Sequence, residues 1–248
     1  MKYLDHLREL RNRILISFLF LFLSFLVFFF NVKYLGDILT KPLFSLLVDS
    51  PNQRMIFTSL PEVFVSNLKI SLFASFLVST PVLIIQLILF ISPALYKNEK
   101  KFFIPLVILS PFFFLAGLLF AYYFLIPVIW NFFISYENLL DNSFPVELES
   151  KYSEYIRLIM FLLFASGLSF EFPVLIILLT KIGIFNHEFL SKNRKFFFIG
   201  ILIFSALFTP PDVISQIGIA IPLVIFYEFS ILFIKFFIDK KNAWYKIY

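Results

Sequence analysis

Three long stretches of the chain contain no charged residue: Ile14–Val32, Ile70–Tyr96 and Phe102–Tyr136. Each is long enough to supply the ~20 helical residues that cross a hydrocarbon core. Two further apolar stretches, about Tyr155–Thr180 and Val213–Ile234, are interrupted by Glu171 and Glu228 and still read as spans. Between them, Phe196–Pro211 has only 16 residues, which at a rise of 1.5 Å per residue reaches roughly 24 Å. A helix that short thins the bilayer or lies beneath a wet depression, at modest cost. The pattern predicts an all-α integral membrane protein with six spans, at approximately 14–34, 64–92, 102–133, 155–180, 196–211 and 213–235, in one polytopic domain over residues 1–248.

Composition agrees with that reading. Of 248 residues, 60% are hydrophobic and 21% aromatic, with 39 Phe, which leaves too little polar surface for a water-soluble globule. The 13 prolines do not argue against helices, because transmembrane helices find other partners for the carbonyls that proline frees. With no cysteine, disulfides, thiolate metal sites and catalytic thiols are excluded. No cleavable leader is expected, since Ile14–Val32 is too long for a signal-peptide core and no small-residue cleavage site follows it. No internal repeat is visible, which lowers the expectation of an inverted-repeat transporter.

The net charge of +5 takes its meaning from where it falls. With six spans both termini share one side, which collects Lys2, Arg8, Arg11, Arg13, Lys97, Lys100, Lys101, Lys181, Lys192, Arg194, Lys195, Lys235, Lys240, Lys241 and Lys246. The opposite loops hold Lys33, Lys41, Arg54 and Lys151, with Lys69 and Arg157 near the outer ends of spans. The positive-inside rule then makes the termini cytoplasmic. Orientation accounts for the basic residues, so no nucleic-acid partner is expected. The outer segments, about Lys33–Ser59 and Ser135–Glu154, read as a solvated cap.

Several polar residues are candidates for chemistry. In the first turns, Tyr3, Leu7, Leu10 and Ile14 form one helical stripe while Asp5 and Glu9 lie opposite, predicting an interfacial helix with Glu9 turned to the cytoplasm. Glu9 is then either open to a cationic partner or paired at i,i+4 with Arg13, and spacing alone favours the pair. Glu99 is the one acid in the loop Pro93–Lys101, where the residues alone favour its neutralising a neighbouring lysine. Glu171 lies inside a span, where a charged side chain costs roughly 2.5–3.5 kcal/mol, so it is either functional or a protonated structural hydrogen-bond donor. Glu228 is a weaker case, nearer the cytoplasmic end of its span. In the turn Thr209-Pro210-Pro211-Asp212, Asp212 is placed to cap the last span, and Gln216 to hydrogen-bond between helices. The only histidines, His6 and His187, are far apart in sequence. No metal set, cofactor motif or nucleophile–base pair is readable, and an enzyme is not expected.

Taken as strings, His6-Leu7-Arg8-Glu9-Leu10-Arg11-Asn12-Arg13 and Pro93-Ala94-Leu95-Tyr96 through Glu99-Lys100 resemble the opening and first cytoplasmic loop of the TatC family. Further likenesses follow in order: Thr58 with Pro61-Glu62 and Lys69, Phe120-Ala121-Tyr122-Tyr123 with Pro127, Phe170-Glu171-Phe172-Pro173, Thr209-Pro210-Pro211-Asp212 with Gln216, and Ile221-Pro222 with Tyr227-Glu228. The resemblance implies a curved, glove-like wall of six helices with shortened fifth and sixth spans. It also implies a core receptor of the twin-arginine translocase, in the cell inner membrane or, if organelle-encoded, a thylakoid or other organellar membrane. Such a receptor binds the signal peptides of folded precursors and nucleates a complex driven by the proton-motive force. Glu9 and Glu99, with Arg11, match the signal-peptide site, Glu171 the intramembrane acid of a concave pocket, and Thr209 and Gln216 the docking edge for small single-span TatA/TatB-type subunits. Further copies of the chain and membrane lipid are the other implied partners. The competing reading is a proton-coupled small-molecule transporter with Glu171 and Glu228 as its relay.

Overall fold

The computed structural model describes residues 2–46, 54–91, 97–135, 149–181, 183–209 and 212–239, and among them the chain is all-α. The helices are α1 (Lys2–Phe30), α2 (Val32–Phe44), α3 (Glu62–Ile91), α4 (Lys97–Phe120), α5 (Ile126–Ser135), α6 (Tyr152–Lys181), α7 (His187–Lys192), α8 (Arg194–Phe208) and α9 (Val213–Phe233). Five helical stretches are long and apolar enough to cross a membrane: His6–Phe30, Glu62–Leu87, Ile104–Ser135, Tyr152–Lys181 and Val213–Phe236, the last running on from α9 into a π-helical turn at Ile234–Asp239. A further helix, α8, has 15 residues and overlaps the short stretch 196–211 of the sequence reading.

Two local features depart from the sequence reading. The amphipathic start of the chain is not a separate helix, because α1 runs without a break from Lys2 into the first apolar stretch. Part of the expected solvated cap is also helical: α2 carries Leu39, Pro42 and Leu43 buried. One further feature was not anticipated, a π-helical turn at Ala121–Leu125 that joins α4 to α5. Pro127 lies just beyond it. Proline has no N–H to donate and its ring crowds the carbonyl four residues back, so a widened turn there removes both problems.

By their contacts the residues form two compact units, Met1–Pro111 with Ile126–Met160, and Phe112–Leu125 with Phe161–Tyr248. In the first, α1 packs along α3, and Phe29 meets Phe64 edge-on at 6.4 Å. Ser66, Ser71, Ser75 and Ser79 of α3 are buried; such small side chains suit close helix packing, the chief source of cohesion where water does not drive association. At one end of this unit the buried Glu62 gathers four donors. Its Oε2 accepts from Thr58 N at 2.8 Å and Thr58 Oγ1 at 3.2 Å, and its Oε1 from Ser153 Oγ at 2.7 Å and Ser153 N at 3.4 Å. Beside it Ile56 pairs with the backbone around Lys151 in a single parallel bridge, Tyr152 Oη donates to Asn67 at 3.0 Å, and Tyr155 Oη donates to Leu39 O at 2.7 Å. These bonds tie α2, α3 and the start of α6 together.

In the second unit α4 and α6 approach closely at Gly117, where a Cβ would stand 2.6 Å from the Ser166 carbonyl oxygen, and Ser166 Oγ donates to Gly117 O at 2.8 Å. Gly167 lies against the ring of Phe114. The short α7 is capped by Asn186, whose side chain accepts from Phe189 N. It is anchored where the buried Tyr227 donates to Leu190 O at 2.8 Å and Phe197 stacks on Tyr227 at 4.9 Å.

Candidate ligand-binding site

Residues of α1 and α3 in the first unit build the polar group around Glu9. An i,i+4 spacing on a helix brings two side chains over one another, and Arg13 donates through Nε to Glu9 Oε1 at 3.0 Å and again through Nη2 to the same oxygen. The remaining carboxylate oxygen, Oε2, lies 3.6 Å from His6 Nδ1. His6 itself stacks on Phe90 of α3, with ring centroids 4.9 Å apart. Arg13 Nη1 reaches Gln86 Oε1 at 3.4 Å. The opening motif is therefore fastened to the last turns of α3 by one ring stack and one polar contact. Arg11 is exposed and its guanidinium reaches Asn12 at 3.4 Å.

Residues 92–96 join α3 to α4, so Glu99, in the first turn of α4, is carried on the helix that starts from this same end of α3. The side chain of Glu99 lies outside the described residues. Glu9 is thus carried on the helix packed along α3, and Glu99 on the helix that follows α3 in the chain.

The other predicted residues lie in the second unit. Glu171 faces a cavity of about 530 Å³ whose lining is otherwise almost entirely apolar, formed by α6, α8 and α9 with Phe172, Phe196, Phe197, Phe204 and Leu223 among its walls. Glu228 makes an ion pair with Arg194, the first residue of α8, at 3.0 Å, which places it level with the start of that helix. At the other end of the α8–α9 pair, Gln216 Nε2 donates to Leu202 O at 3.2 Å, an interhelical bond of the expected kind. Thr209 Oγ1 donates to Ser205 O at 2.9 Å. Asp212 caps α9 through Ser215 N at 2.7 Å, as its position predicts. The structure adds Ser215, whose hydroxyl is buried and, with Asp212 Oδ2, has no hydrogen-bond partner among the described residues. Among the described residues no group of three or more His, Asp or Glu could hold a metal ion.

The pattern described as Sec-independent protein translocase protein (TatC) matches residues 5–222. The chain belongs to the TatC family. A TatC protein of Desulforapulum autotrophicum is 40% identical over 244 residues, covering 97% of this chain and 87% of that protein. TatC of Escherichia coli K12 is 35% identical, covering 96% and 89% respectively. A crystal structure of TatC, described as a twin-arginine translocase receptor, superposes with a TM-score of 0.74 at 35% identity over 93% of this chain and 98% of its own. As a TatC protein the chain is an integral membrane component of a protein translocase, not an enzyme. The transporter alternative finds no support in this kinship. Two contacts of this TatC chain escaped the sequence reading. Gln86 lies 73 residues from Arg13, and Ser153 lies 91 residues from Glu62, so no local spacing connects them.

Proposed function

We propose that the chain is the receptor that reads paired arginines in the signal peptides of folded precursors, at the cytoplasmic face of the inner membrane. Glu9 and Glu99, with Arg11 beside them, form the recognition site. The observation that carries the reading is that Arg13, which holds Glu9, also reaches Gln86 in the last turns of α3, the helix that α4 and Glu99 follow in the chain. Guanidinium is a planar fork that engages carboxylate bidentately, so two separated acids select two arginines, and lysine fits each less well. The TatC structure it resembles is described as a twin-arginine translocase receptor, which supports the same assignment.

In this reading the Glu171 cavity and the Thr209–Gln216 edge serve later steps. The edge docks small single-span subunits, further copies of the chain join the complex, and the proton-motive force drives transport without nucleotide hydrolysis at this chain. The test uses detergent-purified chain and a labelled signal peptide with paired arginines or paired lysines. Glu99→Gln is expected to weaken the arginine peptide by on the order of 1–3 kcal/mol, the scale of a charge-assisted hydrogen bond, and Glu9→Ala to weaken it as well. Equal binding of both peptides by the folded wild type would remove arginine recognition.

A further inference from the structure

The carboxylate of Glu9 is already engaged by a guanidinium. Both Nε and Nη2 of Arg13 converge on Oε1, which is the kind of group, in the kind of contact, that a signal-peptide arginine would offer. The pair is partly shielded, with 21% of the Arg13 side chain and 34% of the Glu9 side chain exposed, so neither is held merely as a solvated surface ion. An arriving arginine that takes Glu9 with both of its donors must take Oε1 from Arg13. Arg13 does not thereby lose every partner, because its Nη1 already points to Gln86 Oε1 at 3.4 Å on α3. A small shift of the guanidinium turns that long contact into its main one.

We propose that Arg13 is a resident competitor for Glu9, displaced onto Gln86 by the incoming arginine, and that it lowers the affinity of the site for any signal peptide that takes Glu9. The proposal rests on the reading of Glu9 as a signal-peptide contact. Exchanging one guanidinium for another replaces two N–H···O bonds by two of the same kind, so docking gains the difference between two similar contacts and not the whole of one. The contact that Arg13 gives up is the same whichever cation displaces it, so it weakens arginine and lysine peptides alike and leaves their ratio to the fit of each cation on the carboxylates.

The experiment is a binding titration of full-length, detergent-purified chain with signal peptides carrying paired arginines or paired lysines. Wild type is compared with Arg13→Gln, Gln86→Leu, Glu9→Ala and the double variant of Glu9→Ala with Arg13→Gln. Arg13→Gln is expected to tighten binding of both peptides about tenfold and to leave their ratio in place; tenfold is the scale of one charge-assisted hydrogen bond. Gln86→Leu, which leaves Arg13 without its second acceptor, is expected to weaken the arginine peptide severalfold. In the Glu9→Ala background, Arg13→Gln should change neither peptide. A structural role for Arg13 would instead weaken both peptides or leave both unchanged, and either result in a folded variant overturns the proposal. Should Arg13→Gln fail to fold, Gln86→Leu decides alone, and unchanged arginine-peptide binding by it overturns the exchange. A wild type that does not distinguish the two peptides removes the receptor reading itself, an outcome separate from a selective wild type whose affinities Arg13→Gln does not raise.

Discussion

At the scale of single residues, the polar side chains of this protein divide by whether their partners are near in sequence. Glu9 and Arg13 are four apart on one helix, and their pairing follows from helical geometry. Glu62 is different, since it holds Thr58 from its own segment and Ser153 from the start of α6. A buried carboxylate with four donors is stabilised by them, and removing it leaves the donors without their acceptor in a place that water does not readily reach. Glu62→Ala is therefore expected to lower the thermal midpoint of the purified protein by on the order of 5 °C. Glu62→Gln, which keeps one acceptor oxygen, should have a smaller effect. Unfolding followed by intrinsic fluorescence in detergent measures both, and an unchanged midpoint for Glu62→Ala would show that the cluster does not hold α3 to α6.

At the scale of elements, cohesion comes from close approach of backbones as much as from large side chains. Gly117 leaves no room for a Cβ against the Ser166 carbonyl, and the Ser166 hydroxyl returns a hydrogen bond to Gly117 O. Gly117→Leu forces α4 and α6 apart and is expected to destabilise the fold by about 1–3 kcal/mol or more, read as a loss of folded, monodisperse protein after heating. Gly200 faces open space, and Gly200→Ala in α8 should be neutral or slightly stabilising by the usual preference of helices for alanine. The long helices were legible because an uncharged run of membrane length has few alternatives, and the shortness of α8 was legible for the same reason. The helical character of α2 was not. Asp37 and Lys41 give its segment the look of a solvated loop, and only the burial of Leu39 and Leu43 explains why it folds as a helix. The π turn at Ala121–Leu125 was likewise hidden, although Pro127 supplied the cause. In the site, the motif residues were legible one at a time, whereas the contacts through Gln86 and Ser153 depend on how distant segments meet.

At the scale of the whole molecule, the distribution of apolar surface is that of a protein solvated by lipid. In α1 none of the most apolar window is buried within the protein, whereas half of that in α6 is; Phe18, Phe22, Leu23 and Val27 are exposed on α1. Large apolar side chains on the outside are unfavourable in water and ordinary against hydrocarbon, where helix association draws on packing and polar contacts. Membership of the TatC family then gives this membrane protein its task in protein translocation. In the proposed reading, the paired arginines of a signal peptide are read by residues 6–13 of α1 and the first turn of α4. The most direct measurement places a photo-crosslinking residue in the peptide next to the paired arginines and maps the adducts formed with the purified chain. The account predicts adducts within residues 6–13 and in the first turn of α4, lost when the arginines become lysines. Adducts confined to α8, α9 or the Glu171 cavity, or indifferent to the exchange of arginine for lysine, would contradict it.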